Sequence, residues 1–172
     1  GINRFMHKLD SYISNSVIIV RTLIFAAFFA LSSGFVAEHF FKLQPCSLCL
    51  YQQYVFMSIC IVGSVASLAS FFKAHSKKLS LLLAILFFIN AGIAFYQVAV
   101  EQRWVEPPTQ CKSKKLAGNS IEELREELLN TDVVRCDQVQ WSFLGISMAG
   151  YNVLYCLLWS LLAFYFLKRQ KK

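Results

Sequence analysis

The sequence is short of charge: Asp, Glu, Lys and Arg make up 16% of its 172 residues, where an ordinary soluble domain carries about 25%. With 56% hydrophobic residues, 16 phenylalanines and a mean hydropathy of +0.49, it lacks the polar surface that a soluble fold needs. It also lacks a contiguous basic face interleaved with exposed aromatics, so its net charge of +7 does not point to nucleic acid. Long apolar runs are present instead. Val17 to Val36, Leu50 to Phe72, Leu79 to Val98 and Gly145 to Leu167 each approach or exceed the roughly 20 helical residues that cross a hydrocarbon core of about 30 Å. The predicted fold is an all-α membrane protein in which residues 1–172 form one four-helix transmembrane domain. A long loop, about 99–144, joins the third and fourth spans.

The basic residues sit beside the spans and set an orientation. Arg4, Lys8, Arg21, Lys73, Lys77, Lys78, Lys168, Arg169, Lys171 and Lys172 fall on one side. The other side has Lys42 and the long loop, whose six Lys and Arg are outnumbered by eight acidic residues. Lys/Arg excess marks the cytoplasmic face, so both termini are expected there, with the first and third loops outside. A rival reading takes the first run as a cleaved signal peptide, with Ala30 and Ser32 as small residues after its core. Signal peptides have a shorter apolar core, and removing this run would leave three spans, so it is read as a span.

Most features inside the spans have structural explanations. Gly63, Ser67 and Gly92 are small residues of the kind that let helices approach closely. Arg21 is placed to snorkel to headgroups, Asn90 to hydrogen-bond across helices, and Trp104 and Trp141 to anchor at the interface. In the long loop, "NSIEELREELL" pairs Ser120 with Glu123 as a capping box and aligns Ile121, Leu124 and Leu128. A short surface helix near 120–129 is expected, lying either on the membrane or against its own protein.

Six cysteines remain to be placed. Cys60 and Cys156 fall within spans, where a thiol is a small apolar packing residue. Cys46, Cys49, Cys111 and Cys136 all fall outside, in a compartment that is oxidising in a bacterium. The simplest pairing is Cys46 with Cys49 and Cys111 with Cys136. In "QPCSLCLYQQY" the i, i+3 spacing suits a bridge, and Pro45 suits a helix start. A helix N-terminus stabilises a thiolate, which favours a redox role. Two rivals stand: a Cys₄ zinc site, although only one pair has knuckle spacing, and two purely structural disulfides.

Taken together, "PCSLCLYQQY" opening the second span, "AFYQVAVEQRWVEPPTQC" after the third and "VRCDQVQWSFLGISMAGYN" leading into the fourth resemble the bacterial disulfide bond formation protein B (DsbB) family. That resemblance spans nearly the whole chain. It implies a quinone-dependent thiol oxidase of the inner membrane that reoxidises a soluble periplasmic, thioredoxin-like dithiol oxidase of the DsbA type. Cys111 would be attacked by the reduced partner and Cys136 released to attack Cys46. Cys49 would then face a bound ubiquinone or menaquinone, with no metal involved and the protein acting as a monomer. The first loop, "AEHFFKLQ", is too short to lift Cys46 and Cys49 far from the bilayer. Cys111 has about ten residues of reach past the third span, on the order of 30 Å.

The chain departs from the family at two places. Gln53 stands where many members carry an arginine, and Gln97 follows Tyr96 where a histidine is common, while Glu101 matches a common acidic position. Gln53, Gln97 and Glu101 are therefore the expected quinone neighbours. Two other classes remain in view: a membrane scaffold with structural disulfides, and an enzyme similar to vitamin K epoxide reductase.

Overall fold

Each apolar run folds as a helix, because a backbone in lipid must satisfy its own N–H and C=O groups. The computed structural model describes residues 2–13, 15–108, 120–122, 125 and 135–170, with the backbone alone for 8–13. The helices are α1 (Ile2–Ile13), α2 (Ser16–His39), α3 (Ser47–Leu68), α4 (Phe72–Glu101) and α5 (Met148–Arg169). The last four are each long and apolar enough to cross a membrane. Among the described residues the only strands are β1 (Ser142–Phe143) and β2 (Ile146–Ser147), an antiparallel hairpin leading into α5.

Several boundaries differ from those the sequence predicts. The run from Leu50 to Phe72 hides a chain reversal: α3 stops at Leu68 and Phe72 already belongs to α4. Its turn is tight, with Ala69 N–H bonded to the Ala66 carbonyl at 3.2 Å and Phe72 N–H to the Ala69 carbonyl at 3.0 Å. Lys73, Lys77 and Lys78 therefore lie on the exposed side of the first turns of α4, not in a loop. The fourth span, α5, begins at Met148, since Gly145 has φ +78° in the hairpin turn and Ser147 caps the helix by accepting from Gly150 N–H at 3.2 Å. α1 and the hairpin are absent from the sequence reading. Of the expected helix near 120–129, Ile121, Glu122 and Arg125 are described and helical.

α4 is the central helix, packing most extensively on α5 and then on α3 and α2. The core is built from Val20, Leu23, Ala27, Phe56, Ile59, Leu83, Phe87 and Cys156. Gly63 is a point of close approach, because a Cβ there would lie 2.6 Å from Ile24 Cγ1. Gly92 is not, since it is exposed with nothing within 4 Å of an added Cβ. Buried polar groups tie helices together: Ser80 Oγ donates to the Ser16 carbonyl (3.0 Å), Ser160 Oγ to that of Ala84 (3.1 Å) and Tyr155 OH to that of Ala26 (2.8 Å). Asn90 makes the expected interhelical bond, from Nδ2 to Cys156 Sγ at 3.6 Å. Outward faces carry Phe25, Phe28, Phe88, Leu158 and Leu161, exposed as lipid-facing side chains should be.

Candidate active site at the start of α3

Pro45 leads the chain into α3 without a wasted N–H, and Cys46 is the extended residue before the first turn (φ −77°, ψ 168°). Its carbonyl accepts from Leu50 N–H at 3.0 Å, which opens the helix and places Cys49 one turn above it. The two sulfurs lie 3.2 Å apart, with Cys46 S–H donating to Cys49 Sγ. The structure shows the pair as two thiols, one hydrogen bond apart. A bond at about 2.05 Å needs the sulfurs to close by only about 1.2 Å. Cys46 is buried, and its thiol is pushed up by the hydrogen bond to Cys49 and then by burial, against the backbone N–H groups of Cys49 and Leu48. Cys46 thus holds its proton while Cys49 accepts it in a hydrogen bond.

The third outer cysteine joins them. Cys136 is disulfide-bonded and almost wholly buried, with Ser47 Oγ 3.5 Å from its sulfur. It packs in a small cluster with Cys46, Leu48 and Val100, against which Cys49 also rests. Cys111, the expected partner of Cys136, lies outside the described residues. Beside this cluster Arg135 pairs with Asp137 at 2.7 Å, which holds the Asp137 carboxyl below the usual carboxylate range.

Carboxamides surround Cys49. α4 ends in a helix-terminating turn in which Arg103 is left-handed (φ 60°) and Trp104 N–H returns to the Ala99 carbonyl at 2.8 Å. That leaves Gln97 and Glu101 on the last turn, facing the start of α3. Gln97 Nε2 lies 3.4 Å from Cys49 Sγ and 3.3 Å from Glu101 Oε1. Glu101 Oε2 is buried and has no hydrogen-bond partner among the described residues. Gln53 turns to α2 and donates to Glu38. Tyr96 points outward and donates to the Glu106 carbonyl at 3.3 Å.

Three participants are missing from the sequence reading: Glu38, Gln52 and Asn152. Gln52 is buried and donates to Gln97 Oε1 at 2.6 Å, while Asn152 Nδ2 donates to Gln52 Oε1 at 2.6 Å. Gln52 lies one position before Gln53 and carried a usable signal: a polar residue at the inward position of an otherwise apolar helix needs a partner.

Two cavities meet at Cys49. One, about 80 Å³, lies beside Cys46, Glu38, Glu101, Arg135 and Trp141. The other, about 340 Å³, runs into the bundle past Phe29, Phe56, Met148, Tyr151 and Tyr155. Cys49, Gln53 and Gln97 line both. Apolar walls suit a flat, uncharged ring bearing carbonyl oxygens, and Gln53, which gives one N–H to Glu38, has a second that could meet such an oxygen without a buried charge. The donor set thus fits a quinone. Among the described residues no group of three or more His, Cys, Asp or Glu side chains is arranged to hold a metal.

Comparison with known proteins places the chain in a family. The family model for disulfide bond formation protein DsbB matches residues 16–166. The chain is 30% identical over 135 residues to disulfide bond formation protein B of Marinobacter nauticus, covering 73% of this chain and 76% of that one. It is 29% identical over 162 residues to the protein of that name from Acinetobacter baumannii, covering 83% and 89%. An uncharacterized protein of Rickettsia prowazekii is 29% identical over 151 residues, covering 86% and 83%. No solved structure matches. Four membrane-crossing helices and a dithiol at the head of the second are what the match encloses, and the chain belongs to the disulfide bond formation protein DsbB family.

Proposed function

We propose that this membrane protein oxidises a soluble thioredoxin-like dithiol partner outside the bacterial inner membrane and delivers the electrons to a membrane quinone, ubiquinone or menaquinone. In this reading both termini are cytoplasmic, the Cys46 end of the bundle is periplasmic, and residues 1–172 act as one domain and one monomer. The observation that carries it is the position of Cys49, whose side chain lines both the small cavity beside Cys46 and the larger apolar cavity within the bundle.

A thiolate of the partner attacks Cys111, breaking the Cys111–Cys136 bond and releasing Cys136 as a thiolate; the partner's second thiolate then resolves the mixed disulfide and leaves oxidised. Cys136 attacks Cys46 of an oxidised Cys46–Cys49 pair, displacing Cys49 as thiolate, and Cys111 closes the relay by re-forming its bond with Cys136. Two electrons and two protons thereby move from the partner to the Cys46–Cys49 dithiol. A bound quinone would supply the acceptor for that pair of electrons and protons, with Gln53 as the donor toward a carbonyl oxygen and Gln97 and Glu101 as its neighbours. Cys46 keeps its proton until late, Gln97 orients Cys49, and the apolar walls exclude water.

The test uses purified protein in detergent, the reduced partner and ubiquinone or menaquinone, with quinone reduction followed by absorbance. Wild type should turn over and Cys49→Ala should be inactive. An intact rate in Cys49→Ala would overturn the redox role of the Cys46–Cys49 pair, and no turnover by wild type would leave the scaffold reading standing.

A further inference from the structure

Five side chains outside the cysteine relay form one continuous line from the middle of the bundle to Cys49. Asn90 Nδ2 donates to Cys156 Sγ (3.6 Å), and Cys156 S–H donates to Asn152 Oδ1 (3.4 Å). Asn152 Nδ2 donates to Gln52 Oε1 (2.6 Å), Gln52 Nε2 to Gln97 Oε1 (2.6 Å) and Gln97 Nε2 to Cys49 Sγ (3.4 Å). The first four links point the same way, and the last joins them when Cys49 is the acceptor. The chain's direction is fixed by a group that cannot reverse: the Leu48 backbone carbonyl only accepts, and it takes the other Gln52 N–H at 3.1 Å. With that end of Gln52 settled, its oxygen must face Asn152 and Asn152 must donate. The oxygen of Asn152 then faces Cys156, whose thiol must donate in turn. On the other side, Gln97 has its oxygen on Gln52 and its two N–H groups on Cys49 and Glu101. Turning any one of these amides sets buried donor against donor or acceptor against acceptor, so the orientation is collective.

We infer that this one-way donor chain makes Gln97, Gln52, Asn152 and Cys156 positioning residues that hold Cys49, not Cys46, as the acceptor sulfur and so as the thiolate of the pair. The inference rests on the redox reading above and deepens it. Gln97 serves both states of Cys49, because its Oε1 lies 3.6 Å from the same sulfur and takes the S–H when Cys49 is protonated. Once the proton leaves, Gln97 Nε2 and Cys46 S–H both donate to the sulfur, and aligned donors behind Gln97 polarise it further. The other titratable or charged groups that line the cavities at Cys49 are Glu38, Glu101, Arg135, Tyr151 and Tyr155. Of these, Glu101 touches the chain, accepting from Gln97 Nε2 at 3.3 Å.

The experiment reads Cys49 directly. Reduced full-length protein in detergent is treated with iodoacetamide across a pH series, and modification of each cysteine is followed by mass spectrometry. Gln52→Met and Asn152→Leu keep shape and remove a link; each should slow Cys49 alkylation at pH 7 about tenfold, equivalent to one pH unit in its midpoint. The alkaline plateau should stay at the wild-type rate, whereas loosened packing would change the plateau. Cys156→Ala should slow the reaction in the same sense, and Cys156→Ser, whose hydroxyl still donates, should restore it. Should Gln52→Met or Asn152→Leu fail to fold, the Cys156 pair decides. Equal midpoints in wild type and every folded variant overturn the inference. Alkylation requires neither quinone nor partner, so a protein that shows these shifts yet reduces no quinone would refute the proposed function and leave the donor chain in place.

Discussion

Gln53 of α3 donates a hydrogen bond to Glu38 at the end of α2, so the position four residues after Cys49 presents a neutral amide tied to a carboxylate. Both side chains border the small cavity with Cys46 and Cys49. An arginine at this position would meet Glu38 as an ion pair and add positive charge where, in the proposed function, the acceptor takes up electrons. Gln53→Arg should therefore lower the KM for quinone several-fold with the fold intact, measured by steady-state quinone reduction. An unchanged KM would show that charge at this position has no part in acceptor binding.

Gly63 and Gly92 should respond oppositely to alanine. A methyl on Gly63 meets Ile24 Cγ1 at 2.6 Å and Cδ1 at 2.8 Å. Isoleucine is branched at Cβ, so its χ1 has few alternatives in a helix. Gly63→Ala should destabilise by about 1–3 kcal/mol. Gly92→Ala meets nothing and should be neutral or stabilise by up to about 1 kcal/mol. Thermal unfolding of both variants in one detergent checks the contrast.

The raised Cys46 thiol sets a pH order for the dithiol. A thiol pushed up stays protonated as pH climbs, so in the reduced wild type Cys46 should be alkylated more slowly than Cys49 throughout the neutral range. Cys49→Ser replaces the partner sulfur and removes the repulsion from a neighbouring thiolate. It should bring Cys46 reactivity down to lower pH, read by the same mass-spectrometric assay.

Cys136 sits against Cys46 while its disulfide is intact. Under the proposed relay, Cys136→Ser leaves Cys111 without its internal partner. Mixed with the oxidised thioredoxin-like protein, its Cys111 thiolate should attack the partner's disulfide, displacing one partner thiolate and leaving a mixed disulfide, visible as a larger band on a non-reducing gel and lost on adding dithiothreitol. No such band with Cys111→Ser, and a strong one with Cys136→Ser, is the expected pattern.

The bundle was legible because lipid simplifies the code: four long apolar runs are four helices. Their ends were less so. Phe71 and Phe72 continue an apolar run through a turn, and hydropathy does not register a reversal that backbone bonds make. α1 was readable in principle from Ile2, Phe5 and Met6, spaced three and four apart and all exposed. The hairpin has two residues per strand, too few for an alternating pattern. Within the site, local spacing marked Cys46 and Cys49, but Cys136 reaches them from 87 positions beyond Cys49, and Asn152 reaches Gln52 from 100 positions away. Partners of that kind are fixed by helix packing. Glu38 was passed over for the same reason: its role depends on α2 lying beside α3.

The cluster of Cys46, Leu48, Val100 and Cys136 is separate from the main core around Phe87 and Leu83. Two cores in one chain give two scales of local stability, and the smaller can open while the larger stays shut. In hydrogen exchange, amides near Cys136 should lose protection before those of the central turns of α4. Exchange of disulfide partners at the cysteine end would then proceed as a local fluctuation, with the membrane-buried helices keeping their packing.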